Sequence, residues 1–240
     1  IRDAMLVVVG WVLAIAPAGV FALALVVGAR TGFTALGAFA HYLVVVILIC
    51  LAGIAAAYAL AVLGGRVSFL RFARAAAPAQ AVAISTQSSM ASLPAMIKGC
   101  ETGLAIPPRV TGVTLPLAVV LFRISGPIST VAMAIYAAHV MNVPLGPTQL
   151  LSGATVAVIM VFATATGIPS QVLYMATLTP ILSAMGVPID ILALLIAVEP
   201  IHDMFRTTAN VTMDMGVTTM VDRWTQPRPA ELGPASKVHR

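Results

Sequence analysis

Charge is what this chain has least of. Asp, Glu, Lys and Arg make up 9% of its 240 residues, where a soluble domain carries roughly 25%. Aromatic residues are only 6% and cysteines number two. So little charge beside 60% hydrophobic residues and a mean hydropathy of +1.03 excludes an ordinary water-soluble domain, and excludes disorder more firmly. Two cysteines cannot form a disulfide framework, and Cys50 inside an apolar run reads as a buried free thiol. No P-loop, dinucleotide fingerprint, nucleophile elbow or cysteine metal motif is present. The net charge of +5 does not point to nucleic acid. Its cations sit mostly at the ends of apolar segments, where they anchor membrane topology.

What is present is a series of apolar runs, about 20 residues being enough for one helical span. No charge lies between Asp3 and Arg30, and none between Arg30 and Arg66. Residues 1–65 therefore read as two transmembrane helices. Residues 66–108 carry a polar centre, Ser85-Thr86-Gln87-Ser88-Ser89, between two apolar arms. This pattern predicts a re-entrant hairpin with both ends on one membrane face. Residues 109–141 read as a span broken at Arg123-Ile124-Ser125-Gly126-Pro127, since an Arg at mid-depth is costly and must face protein or a cavity. Turn signals at Asn142–Pro147 and Gly186–Pro188 bound a second hairpin, 146–188, whose tip is Thr164–Ser170. Two broken hairpins suggest an internal repeat, and such interrupted segments mark transporter binding sites. Residues 189–223 form the last span and 224–240 a basic cytoplasmic tail. With the chain start inside, ten of the 13 Lys and Arg residues lie inside, as the positive-inside rule requires. The start without Met, at the edge of an apolar run, predicts a fragment of a longer protein.

The last span holds a polar stripe. Glu199, Asp203, Arg206, Asn210 and Asp214 share one helical face. Intramembrane ionisable residues are functional candidates by default. The plain alternative is an ion-pair network that fixes helix register, with Arg206 on Asp203 or Asp214 and Arg123 on the acid that remains. The functional reading gives Arg206 a substrate carboxylate, which its planar fork suits, and gives Asp203 an ammonium group. Together they describe an acidic amino acid. Arg123, Glu199, Asn210 and Asp214 are the candidate ion-coupling residues. A fixed guanidinium at Arg123 would neutralise Asp214 and cannot dissociate on each cycle, which leaves a proton, through Glu199 or Asp203, or no ion at all, to couple. His41 and His139 read as packed or interface residues before metal ligands; His202 adjoins Asp203 but points roughly 100° away on a helix, with proton transfer as its alternative role.

Asp203-Met204-Phe205-Arg206-Thr207-Thr208-Ala209-Asn210-Val211-Thr212-Met213-Asp214 closely resembles the last-helix motif of the dicarboxylate/amino acid:cation symporters, the glutamate-transporter-like family. Ser88-Ser89-Met90-Ala91-Ser92-Leu93-Pro94 resembles that family's first hairpin tip, and Gly167-Ile168-Pro169 its second. Thr114-Leu115-Pro116-Leu117 resembles the start of its seventh helix, and Pro17–Ala22 its fifth. The resemblance covers residues 1 to about 223.

The resemblance implies an all-α membrane protein with two re-entrant helical hairpins and a broken helix. It also implies an elevator-type transport domain and a homotrimer in the full-length protein. It adds Ser88, Ser89, Gly167, Pro169, Thr207 and Asn210 to Asp203 and Arg206 as substrate-binding residues, and puts sodium at Asn210 and Asp214. One departure matters. Where the family carries Asn-Met-Asp-Gly-Thr in its seventh helix, this chain reads Phe122-Arg123-Ile124-Ser125-Gly126, so sodium coupling by the usual sites is not expected. The expected protein is a multi-pass secondary carrier of the cell's inner (plasma) membrane, not an enzyme. It moves acidic amino acids or C4-dicarboxylates, with no cofactor beyond a coupling sodium ion or proton. The alternatives are an anion-conducting pore lined by Arg123 and Arg206, and, far behind, an intramembrane protease using Ser88 or Ser89 with His139 or His202.

Overall fold

The computed structural model describes residues 40–121, 123, 125–163, 170–189 and 192–225. The expected first span, the second hairpin tip with Gly167 and Pro169, and the basic tail lie outside the described residues. Among the described residues the chain is helical, with no strand. Eight helices follow in order: α1 (Ala40–Gly64), α2 (Phe69–Thr86), α3 (Ser89–Lys98), α4 (Pro108–Leu121), α5 (Ser125–Val140), α6 (Pro147–Ala163), α7 (Ser170–Ala184) and α8 (Leu192–Thr225). Two stretches are long and apolar enough to cross a membrane, Ala40–Gly64 with mean hydropathy 2.8 and Pro108–Val140 with 1.7. At 1.5 Å per residue, α3, α6 and α7 each fall short of a hydrocarbon core of about 30 Å.

The helix boundaries follow from local chemistry. The α5–α6 turn has Asn142 in the left-handed region at φ 53°, and the Val143 N–H reaches back to the Ala138 carbonyl at 2.8 Å. The turn after α7 repeats this with Gly186 at φ 71° and Val187 on Leu182 at 2.9 Å. Both are helix stops of the left-handed type, and a proline follows each within two residues. The α2–α3 tip is narrower than the serine run suggested. Gln87 takes the left-handed cap of α2 at φ 52°, and Ser88 caps α3 by accepting the Ala91 N–H at 3.2 Å. Ser85 and Thr86 stay inside α2 and donate to the Val82 carbonyl. Gly126-Pro127 does not form the break in the third span. Those residues occupy the first turn of α5, where a proline's missing N–H has no helical acceptor to lose. Among the described residues α4 runs to Leu121, Arg123 lies outside a helix, and α5 starts at Ser125.

The chain divides into two compact units: residues 1–50 with 126–206, and residues 51–125 with 207–240. In the first unit, α6 and α7 pair closely. Gly153 faces the Met185 sulfur where any Cβ would collide. Buried Tyr174, Leu178, Ile181 and Leu182 line α7, and Met133, Ala134, Ala137 and Ala138 line α5. The Tyr174 hydroxyl donates to the Met133 sulfur at 3.2 Å.

In the second unit the core is built largely from alanine. Ala75, Ala76, Ala79 and Ala83 of α2 meet Met96, Cys100, Leu104, Val211 and Met215. Small side chains bring the backbones together. Beyond Lys98 the helix widens into a π-turn at Gly99–Gly103, and a Cβ on Gly99 would strike the Ala75 carbonyl. Tyr58 packs between Phe69 and Phe72, each ring centroid 5.0 Å away. Polar ties hold α8 in this unit. Gln80 donates to Thr212 Oγ1 at 2.9 Å, and Arg223 donates to the Gly64 carbonyl at 2.9 Å.

Candidate functional site

The polar stripe of α8 is helical throughout, so its four- and three-residue spacings place the five residues on one face. Each unit holds part of it. In the first unit, Glu199 is 0% and Asp203 1% exposed. The Arg206 guanidinium donates through Nε to Asp203 Oδ1 at 2.9 Å and through Nη2 to the same oxygen. Its Nη2 also stands 3.6 Å from Glu199 Oε1. Of the two acids proposed as partners for Arg206, helix geometry selects Asp203. A helical side chain leans toward the N-terminus and covers the i−3 and i−4 positions, and Asp214 lies eight residues on, about 12 Å along the axis.

One guanidinium therefore serves two carboxylates. Neither Glu199 oxygen, nor Asp203 Oδ2, has a hydrogen-bond partner among the described residues. Buried carboxylates with unsatisfied oxygens are costly. Glu199 and Asp203 thus keep acceptor oxygens that a proton or a ligand cation could take.

Around it stands a ring cluster that sequence reasoning did not find. His202 lies 6.4 Å from Tyr42 and 5.9 Å from Tyr174 between centroids, and Tyr42 packs at a tilt against Tyr136 at 5.1 Å. Tyr42, Tyr174 and Cys50 all lie in electrostatic reach of Arg206. His41 packs at 6.0 Å from Tyr136, and His139 is exposed at the end of α5.

In the second unit, Asn210 and Asp214 are buried at 6% and 1% exposure. Asn210 Oδ1 accepts both the N–H of Ser125 at 3.2 Å and its hydroxyl at 2.7 Å. Ser125 is the first residue of α5, so the asparagine caps that helix from another element. Ser125 was missed because 85 positions separate it from Asn210; its one signal was a hydroxyl beside the break. Asp214 Oδ1 has no hydrogen-bond partner among the described residues, and Arg123 lies within its electrostatic reach. Thr207 is buried on α8. Ser88 accepts from Ala91 N and, through its carbonyl, from the Ser92 hydroxyl at 2.9 Å; Ser89 is 8% exposed. Among the described residues, no group of three or more His, Cys, Asp or Glu side chains is placed to hold a metal. As a sodium cage the Asn210 and Asp214 pair fits poorly. The asparagine oxygen already takes two donors, and a guanidinium stands near the carboxylate.

Comparison with known proteins gives a consistent result. The sodium:dicarboxylate symporter family matches residues 1–224. The chain is 31% identical over 221 residues to a putative sodium-dependent excitatory amino acid transporter, glt-4, of Caenorhabditis elegans, a match covering 90% of this chain and 43% of that protein. It is 28% identical over 171 residues to human excitatory amino acid transporter 3, covering 70% and 32%. To excitatory amino acid transporter 1 of Ambystoma tigrinum it is 34% identical over 134 residues, covering 55% and 24%. The chain thus spans less than half the length of these relatives. They are transporters by name, and a membrane location follows from the family. The chain belongs to the sodium:dicarboxylate symporter family.

Proposed function

We propose that this chain is the substrate-handling part of a secondary active carrier that moves acidic amino acids or C4-dicarboxylates across the cell's inner membrane. The observation that carries this reading is the buried Asp203–Arg206 pair with Glu199 beside it. The carboxylates of Asp203 and Glu199 hold the guanidinium. An incoming substrate carboxylate takes over its fork, and the freed Asp203 receives the substrate's ammonium group. Exchange of one charge-assisted set for another keeps the buried charge compensated at every stage. Ser88, Ser89, Gly167, Pro169, Thr207 and Asn210 are the further substrate contacts in this reading. The two helix pairs, residues 66–108 and 146–188, are re-entrant hairpins. The transport unit moves like an elevator, as a trimer in the whole protein.

For coupling we infer a proton in place of sodium. Arg123 beside Asp214 supplies a fixed positive charge that does not leave with each cycle, and the doubly donated Asn210 oxygen is committed to capping α5. Glu199, which shares the Arg206 guanidinium with Asp203, is the proton carrier. The matched relative from Caenorhabditis elegans is described as sodium-dependent, so coupling is where this chain is expected to diverge. The direct test is ligand binding to the full-length parent. Arg206→Ala should abolish binding of aspartate and succinate alike, a loss of about 2–5 kcal/mol for truncating a buried charge pair. Unchanged affinity for both would make the stripe structural and end the reading.

A further inference from the structure

At the open end of the α2–α3 pair, away from the Gln87–Ser88 tip, lies a cavity of about 540 Å3 lined by Ser68, Arg71, Arg74, Lys98, Thr102 and Gly103 among others. It is wholly within the second unit. Three of its lining side chains are cations and none is an acid. The nearest acid in sequence, Glu101, is engaged elsewhere, its Oε1 accepting the Thr111 hydroxyl at 2.6 Å.

The floor is shaped by sequence. Gly99 and Gly103 carry no Cβ where the π-turn crosses Ala75, which lets the turn seat against α2. Single π-turns recur at functional sites. Arg71 lines the cavity, its Nε donating to the Gly103 carbonyl at 2.9 Å, which fixes that guanidinium. Arg74 and Lys98 flank the recess, and Phe69 and Leu70 beside them are 63% and 56% exposed. A cationic recess bordered by exposed apolar side chains matches an amphiphile with an anionic head and an apolar body.

We propose that this cavity binds the phosphodiester headgroup of an anionic phospholipid of the inner leaflet, with its acyl chains along Phe69 and Leu70. The inference rests on the topology read from the sequence, in which Arg66, Arg71, Arg74, Lys98 and Arg109 lie inside. Three cations at the membrane surface attract anionic lipid strongly, and a guanidinium already held by a backbone carbonyl loses little freedom on binding phosphate. None of these residues belongs to the substrate stripe, so occupancy of the headgroup site is separable from transport.

The test uses the full-length protein in nanodiscs of phosphatidylcholine with and without phosphatidylglycerol, followed by native mass spectrometry of co-retained lipid. Wild type should retain phosphatidylglycerol over phosphatidylcholine. Arg74→Gln with Lys98→Gln should weaken that retention by about 25-fold, at about fivefold for each surface cation, while Arg74→Lys alone should keep it. Arg71 is left intact because its tie to Gly103 closes the groove. Equal retention by wild type and the double variant overturns the proposal. So does displacement of the lipid by inorganic phosphate alone, which would make the recess a free-anion site. Labelling of Thr102→Cys by an impermeant thiol reagent from outside only would remove the inside placement and overturn it as well. Selective retention without any substrate uptake would support the lipid site and count against the carrier reading alone.

Discussion

Replacing Asp203 with Asn separates the two jobs assigned to the α8 stripe. Arg206 makes two hydrogen bonds to a single Asp203 oxygen, and a substrate carboxylate must displace them. Asparagine presents a neutral acceptor, so the guanidinium is handed over more cheaply. It also removes the anion that receives an ammonium group. A charge-assisted hydrogen bond contributes about 1.5–3 kcal/mol, roughly a 10- to 150-fold change in affinity. Aspartate should therefore lose about that factor, while succinate, which brings no ammonium, should bind unchanged or more tightly. Glu199 remains 3.6 Å from Arg206 Nη2, so the guanidinium keeps a buried counter-charge and the variant should fold. Calorimetric titration of the full-length protein with both ligands gives the ratio directly. An equal loss for aspartate and succinate would refute the argument, since it would mean that Asp203 acts only by orienting Arg206.

Two further outcomes concern the scaffold. Ser125→Ala removes one of two hydrogen bonds to Asn210 Oδ1 and should lower stability by about 1 kcal/mol, whereas Asn210→Ala removes both and should cost about twice that, read from thermal unfolding in detergent. Gly99→Ala puts a methyl against the Ala75 carbonyl and should destabilise by about 1–3 kcal/mol. Gly112→Ala in α4, where an added Cβ would meet nothing within 4 Å, should be neutral or stabilising by up to about 1 kcal/mol; a reversed order would contradict the packing described for α2 and the π-turn.

Much of the fold was legible because turn chemistry is local. Asn142 before Pro144 and Gly186 before Pro188 marked helix stops, and both adopt the left-handed cap. The serine run located the α2–α3 tip but overstated its width, since Ser85 and Thr86 satisfy their hydroxyls on the preceding helical turn. Gly126-Pro127 read as a break because proline disrupts helix interiors, yet in a first turn it starts one. At the site, the shared face of Glu199, Asp203, Arg206, Asn210 and Asp214 followed from periodicity alone. The choice of Asp203 over Asp214 was also within reach, from side-chain lean and axial rise. The Ser125 cap on Asn210 and the cluster of Tyr42, His202 and Tyr174 were not. Each joins residues on different helices, and a single tyrosine in an apolar run carries no mark of its partner.

The most direct test of the account is uptake by the full-length parent in proteoliposomes, with aspartate and succinate as substrates and with sodium and external pH varied separately. A proton-coupled carrier should show saturable uptake that persists when sodium is replaced by choline, accelerates as external pH falls, and loses that acceleration in Glu199→Gln. Uptake that stops without sodium and ignores pH would contradict it.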